Sequence, residues 1–297
     1  MNDPYSPQPR IALLIDADNA PAEMIDEILT ELSTLGVINI RRAYGNWTKG
    51  SLSGWQKRLL EFAIRPMQQF DYSKRKNASD MAMTVDAMEL LYTERPDAFG
   101  IVSSDADFTP LVMHLRAKGA AVYGFGMAQT PKPFVNACSR FLYLEALAAA
   151  HADAAGDADS GAGGIPAQLL AGATAEGAAP ADVKPAASAR PAAAPVPDAA
   201  PAPKPAASTS PAQPAQRLRV PTARLRQDTA LMNLLRDAVH AVADEAGWAK
   251  VGAVGTQISN KASFDPRNYG YATLSKLLAA VDAFEWRDEG TSRVAVR

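Results

Sequence analysis

IALLIDADNAP, residues 11–21, is the stretch on which the reading of this chain turns. Five apolar residues in a row, with isoleucine at both ends, fit a strand buried on both faces, as strands of parallel sheets are. The run passes directly into Asp16-Ala17-Asp18-Asn19, and Pro21 is placed to open a helix. FGIVSS (99–104) repeats the pattern, an apolar strand that passes directly into Asp105-Ala106-Asp107.

The segments between and around these two stretches alternate. A helix is expected over Pro21–Leu35 up to Gly36, a strand over VINIRRAY (37–44), a helix over Trp55–Ile64 and a short strand over Met67–Asp71. A helix over Ser79–Tyr92 precedes the 99–104 strand; Phe108–Lys118 follows it as a helix ending at Gly119, then AAVYGFG (120–126) and FLYL (141–144) as strands. Strands alternating with amphipathic helices predict α/β architecture, a three-layer domain with a mostly parallel central sheet over 11–145, after a tail at 1–10.

In open parallel sheets, ligands bind beyond the carboxyl ends of the strands. That rule brings Asp16, Asp105 and Asp107 together, and Asp80, opening a helix, faces the same edge. Clustered carboxylates repel one another unless a hard cation neutralises them, so Mg2+ or Mn2+ is the expected cofactor. A lone cysteine, Cys138, and no His/Cys cluster argue against zinc and against a disulfide framework. The chemistry implied is phosphodiester hydrolysis, in which metal polarises the phosphate and activates water. Capping competes with this reading: Asp18 or Asn19 is placed to cap the helix near Pro21, and Asp107 the helix near Phe108. Asp86, six residues past Asp80, falls about 240° further round a helix and is read as structural.

Net charge is −2, with no basic half, so nucleic acid is not announced by bulk charge. Local clusters are more telling. Arg41, Arg42, Lys49, Lys57 and Arg58 are interleaved with Tyr44, Trp47 and Trp55, and Lys74, Arg75 and Lys76 precede Asp80. Cations of this kind meet phosphates, and exposed rings stack on bases, with Trp47 the better stacking candidate. The N-terminal MNDPYSPQPR lacks a long apolar run and no membrane span is found, so a cytoplasmic location is expected.

From Ala146 to about Gln216 the sequence turns to Ala, Pro, Gly and Ser, and no aromatic residue occurs between Tyr143 and Trp248. A stretch of that composition cannot build a core, and 146–226 is expected to be a disordered spacer between two folded ends. Beyond it, helices over Thr229–Ala246, around Val254–Ser259 and over Tyr271–Val281, followed by a hairpin in FEWRDEGTSRVAVR, predict a small winged-helix-like unit at 227–297.

Through IALLIDADNAP, KNASDMAMTVDAMELL and FGIVSSDADFTPLVMHLRAKGAAVYGFG, residues 11–145 resemble NYN domains of the PIN-like nuclease superfamily. The resemblance implies a magnesium- or manganese-dependent ribonuclease with the metal-site role on Asp16, Asp80, Asp105 and Asp107. Asn19 matches the family's polar partner and Ser104 a small hydroxyl that accompanies the last acids. Residues 228–297 resemble the OST-HTH/LOTUS domain, above all through Phe264-Asp265-Pro266-Arg267-Asn268-Tyr269-Gly270-Tyr271 leading into Leu274, Leu277 and Leu278. This second resemblance implies RNA binding or recruitment of a protein partner, with Lys261, Arg267, Tyr269 and Lys276 as contacts to test. RNA is the expected partner, and the sequence says nothing of oligomeric state. One alternative is a weak or inactive enzyme that binds RNA. Another is a haloacid-dehalogenase-type phosphatase, set aside because Ala20 stands where that motif carries Thr or Val.

Overall fold

The alternation expected in the first half produces six strands, Arg10–Asp16 (β1), Val37–Gly45 (β2), Arg65–Gln68 (β3), Ala98–Val102 (β4), Ala121–Gly126 (β5) and Arg140–Tyr143 (β6). The computed structural model describes residues 8–70, 78–150, 219–288, 290–291 and 294–297. The strands pair in the order β3-β2-β1-β4-β5-β6, and every pairing is parallel. β1 is therefore central and needs apolar residues on both faces. Ile11, Leu13 and Ile15 enter one core with Ile25, Ile28 and Leu32, while Ala12 and Leu14 enter the other with Met83, Leu90 and Val112.

The helices follow from these two cores. Ile25–Ser33 (α1) buries Ile25, Ile28, Leu29 and Leu32, the spacing of one helical stripe. Ser53–Glu61 (α2) buries Trp55, and Ala78–Thr93 (α3) buries Met83, Ala87, Leu90 and Leu91. Thr109–Ala117 (α4) is entered through a 3-10 turn, Ala106–Phe108, that seats Phe108 in the core. The helix expected from Pro21 likewise opens as a 3-10 turn, Ala22–Met24. Lys132–Ala137 (α5) has no counterpart in the sequence reading, and the third strand starts at Arg65 rather than Met67. A helix over 144–150 (α6) continues past 145 and buries Leu147 in the first core.

The C-terminal region is a small helical domain with an antiparallel sheet. Thr222–Gln227 (α7), Thr229–Ala241 (α8), Val251–Lys261 (α9) and Leu274–Val281 (α10) enclose Leu225, Leu235, Val254, Ile258, Leu277 and Val281. Asp228 caps α8 by accepting from the Leu231 amide at 3.0 Å, and Thr273 caps α10. Ala249–Lys250 (β7), Trp286–Arg287 (β8) and Ala295–Val296 (β9) form the sheet β7-β9-β8. Because α7 begins at Thr222 and buries Leu225, this fold starts before 227. Among the described residues no helix is long and apolar enough to cross a membrane.

Candidate active site

The chain leaves β1 toward β2 on one side and returns through α3 to β4 on the other. The loops after β1 and β4 consequently part, opening the crevice in which parallel sheets bind ligands. Register pairs Ile15 with Val102, so Asp16 and Ser103 come next as neighbours across the two strands. Ser103 Oγ donates to Asp16 Oδ2 at 2.9 Å, and Asn19 Nδ2 donates to the same oxygen at 2.9 Å. Asp16 is only 1% exposed, and its Oδ1 has no hydrogen-bond partner. Burial raises its pKa; the Asn19 and Ser103 bonds oppose this, and the charges of Asp18 and Asp105 add to it.

Asp80 lies in the first turn of α3, where the chain turns back at the carboxyl edge. Burial, followed by the charges of Asp16, Asp105, Asp18 and Asp107, pushes its carboxyl up to about 6. Four other carboxylates therefore act on Asp80. Asp105 caps the 3-10 turn by accepting from the Asp107 amide at 2.8 Å, so the capping acid is Asp105 and Asp107 stands exposed beside it. Asp18 caps no helix; it accepts from Ser79 Oγ at 2.8 Å and meets Lys49 Nζ at 3.5 Å. Ser104 Oγ accepts from the Met127 amide at 2.9 Å, so of the two adjacent serines it is Ser103 whose hydroxyl meets Asp16. Among the described residues no three His, Cys, Asp or Glu side chains form a ready-made coordination shell.

The basic candidates separate by environment. Arg42 pairs with Asp86, which also accepts from Tyr44 Oη, and Arg41 donates to the Phe62 carbonyl at 2.9 Å. Trp47 and Lys49 instead line an open groove of about 500 Å³ with Leu52, Gln56, Pro66 and Gln68. The buried amide of Asn46 shapes this groove, since its Oδ1 accepts from Thr48 and from Gln68 Nε2, while Gln68 Oε1 accepts from the Trp47 amide. The Lys49–Asp18 contact links groove and acids. Lys74, Arg75 and Lys76 lie outside the described residues. In the C-terminal domain, Lys276 is exposed, Lys261 pairs with Asp237 at 2.7 Å, and Tyr269 packs beside Phe264, with burial pushing its hydroxyl up to about 12. Arg267 is engaged by Glu31 and Asp265.

The family comparisons agree with this architecture. Residues 10–145 match the model of the NYN domain, and residues 226–296 match that of the OST-HTH/LOTUS domain. The chain carries a NYN domain followed by an OST-HTH/LOTUS domain. The NYN domain belongs to the nuclease superfamily. An uncharacterized protein of Methanocaldococcus jannaschii is 33% identical over 121 residues, 39% of this chain and 47% of the relative, so the match spans about half of that protein's length. A crystal structure of a protein of unknown function from Vibrio parahaemolyticus is similar at 19% identity and TM-score 0.38, over 48% of this chain and 96% of its own.

Proposed function

We propose that the NYN domain is a magnesium- or manganese-dependent ribonuclease and that the OST-HTH/LOTUS domain binds the RNA. The observation that carries this reading is the buried carboxylate of Asp16, with one oxygen held by Asn19 and Ser103 and the other unpartnered, in the crevice shared with Asp18, Asp80, Asp105 and Asp107. An all-oxygen donor set suits a hard divalent cation, and a cation would offset both the burial of Asp80 and the like charges that act on it. Asp16, Asp80, Asp105 and Asp107 would hold it, and when bound it polarises the phosphate, lowers the pKa of an attacking water and stabilises the leaving oxygen.

The side chains do the rest. Asn19 and Ser103 fix the Asp16 carboxylate so that it needs no reorganisation when substrate arrives. Asp80, with a pKa of about 6, must lose its proton for the crevice to carry its full negative charge. The groove of Trp47 and Lys49 offers a ring for stacking and a cation for phosphate beside the acids. The two families together support RNA rather than DNA as the substrate. Incubation of the purified chain with manganese and a panel of structured and single-stranded RNAs, with and without chelator, tests the proposal. RNA that is bound but never cut would leave an RNA-binding regulator in its place.

A further inference from the structure

The sequence that most marks the OST-HTH/LOTUS domain faces the chain's own NYN domain. Both domains belong to one compact unit. The 3-10 turn Pro266–Tyr269 is closed by Gly270 at φ 80, a left-handed conformation suited to glycine, and lies against the free edge of β6. Asn268 Nδ2 donates to the Phe141 carbonyl at 2.8 Å, and its Oδ1 accepts from the Tyr143 amide at 3.0 Å. One carboxamide thus takes up a donor and an acceptor that a neighbouring strand would otherwise satisfy, which is how an exposed sheet edge is sealed.

Around it four charges alternate in sign. Arg267 forks onto Glu31 of α1 at 2.7 and 2.8 Å and holds Asp265 at 3.1 Å, while Arg140 of β6 donates to Asp265 at 2.7 Å. Glu31 is 7% exposed and Asp265 1%. Carboxylates this buried are tolerated when forked guanidinium groups satisfy them, and here the partners come from opposite domains.

The geometry points to residues 265–268 as a latch that seats the OST-HTH/LOTUS domain on the open β6 edge, so that the two domains behave as one body rather than as modules joined only by residues 151–218. Arg267 and Asn268 are then committed to the NYN domain. RNA held by the C-terminal domain uses another face, such as the one bearing Lys276, at a fixed distance from the acids. This inference stands whether or not the chain cleaves RNA.

The test cuts the connection in the folded, full-length protein. A specific protease site is inserted after Pro180, the protein is digested, and the products are run on size exclusion at micromolar concentration and physiological salt. The two halves are expected to co-migrate, and Arg267→Gln, Glu31→Gln or Asn268→Ala to separate them. Each charge substitution is expected to weaken association roughly 30-fold or more. Glu31→Gln lies outside the C-terminal domain and so cannot unfold it directly, and circular dichroism of each variant before digestion identifies any folding defect. A Glu31→Gln/Arg267→Gln double variant is expected to lose less than the sum of the single losses. Halves that part at once in the unsubstituted protein, or stay together equally well in all three variants, would overturn the latch.

Discussion

Ser103 Oγ donates to Asp16 Oδ2 at 2.9 Å across the β1–β4 pairing, tying together two loops 87 residues apart at the point where the strand order reverses. A hydrogen bond to a buried carboxylate contributes about 1.5–3 kcal/mol. Ser103→Ala is therefore expected to lower stability by about that much in a denaturant melt and to reduce cleavage roughly tenfold. Ser104→Ala, which loses only a bond from the Met127 amide, should affect cleavage less. Equal effects of the two on cleavage would refute the assignment.

Asp80 sets stability against function. Its carboxyl is raised from 3.8 to about 6 by burial and by four acidic neighbours. The unfolded chain thus releases this proton at lower pH than the folded one, so the group costs stability as pH rises from 3.8 and costs most above about 6. Asp80→Asn in chelator should melt higher than the parent above that pH, by about 1–2 kcal/mol after solvent screening. The difference should close toward pH 4. A variant less stable than the parent at pH 7.5 would contradict the cluster.

Gly126 couples packing to the site. A Cβ there would stand 2.6 Å from the Ser103 carbonyl and 2.7 Å from Thr130 Oγ1. Overpacking of this kind costs about 1–3 kcal/mol, and here the atom displaced belongs to the residue that holds Asp16. Gly126→Ala is expected to lower both stability and cleavage. Thermal melts and initial rates on the same preparation check this, and an active, destabilised variant would show that Ser103 tolerates the shift.

The interdomain latch predicts a pH dependence of opposite sign. Burial alone would raise Glu31 and Asp265, but Arg267 and Arg140 outweigh it and hold both carboxyls below their usual 4.5 and 3.8. The stabilisation is complete above those values and is lost as pH falls through the depressed ones. The advantage of the parent over Arg267→Gln in thermal melts should be constant from pH 7 to about 5 and shrink as pH falls further. An advantage unchanged at about pH 3 would disprove the ionic contribution.

The strand run of residues 11–15 and its passage into acids were legible because a central parallel strand must be apolar on both faces. α5 was not, since six residues starting beside Pro131 and containing Pro133 carry too little periodicity to stand out. The choice between Ser103 and Ser104 depended on register: only the Ile15–Val102 pairing shows which hydroxyl stands beside Asp16. Capping stayed open as a role for Asp18 because chain distance hides Ser79, 61 positions away. The reading of Asp86 as structural agrees with its bonds to Arg42 and Tyr44, whereas the interdomain role of Arg267 has no signature in composition or spacing.

Cleavage of a single-stranded RNA and its matched DNA, in manganese or in chelator, by the parent chain and by Asp80→Asn and Asp105→Asn tests the central claim most directly. The account predicts manganese-dependent cutting of RNA that chelator abolishes and that each substitution reduces on the order of 100-fold or more. Cleavage that survives chelator or both substitutions would contradict it.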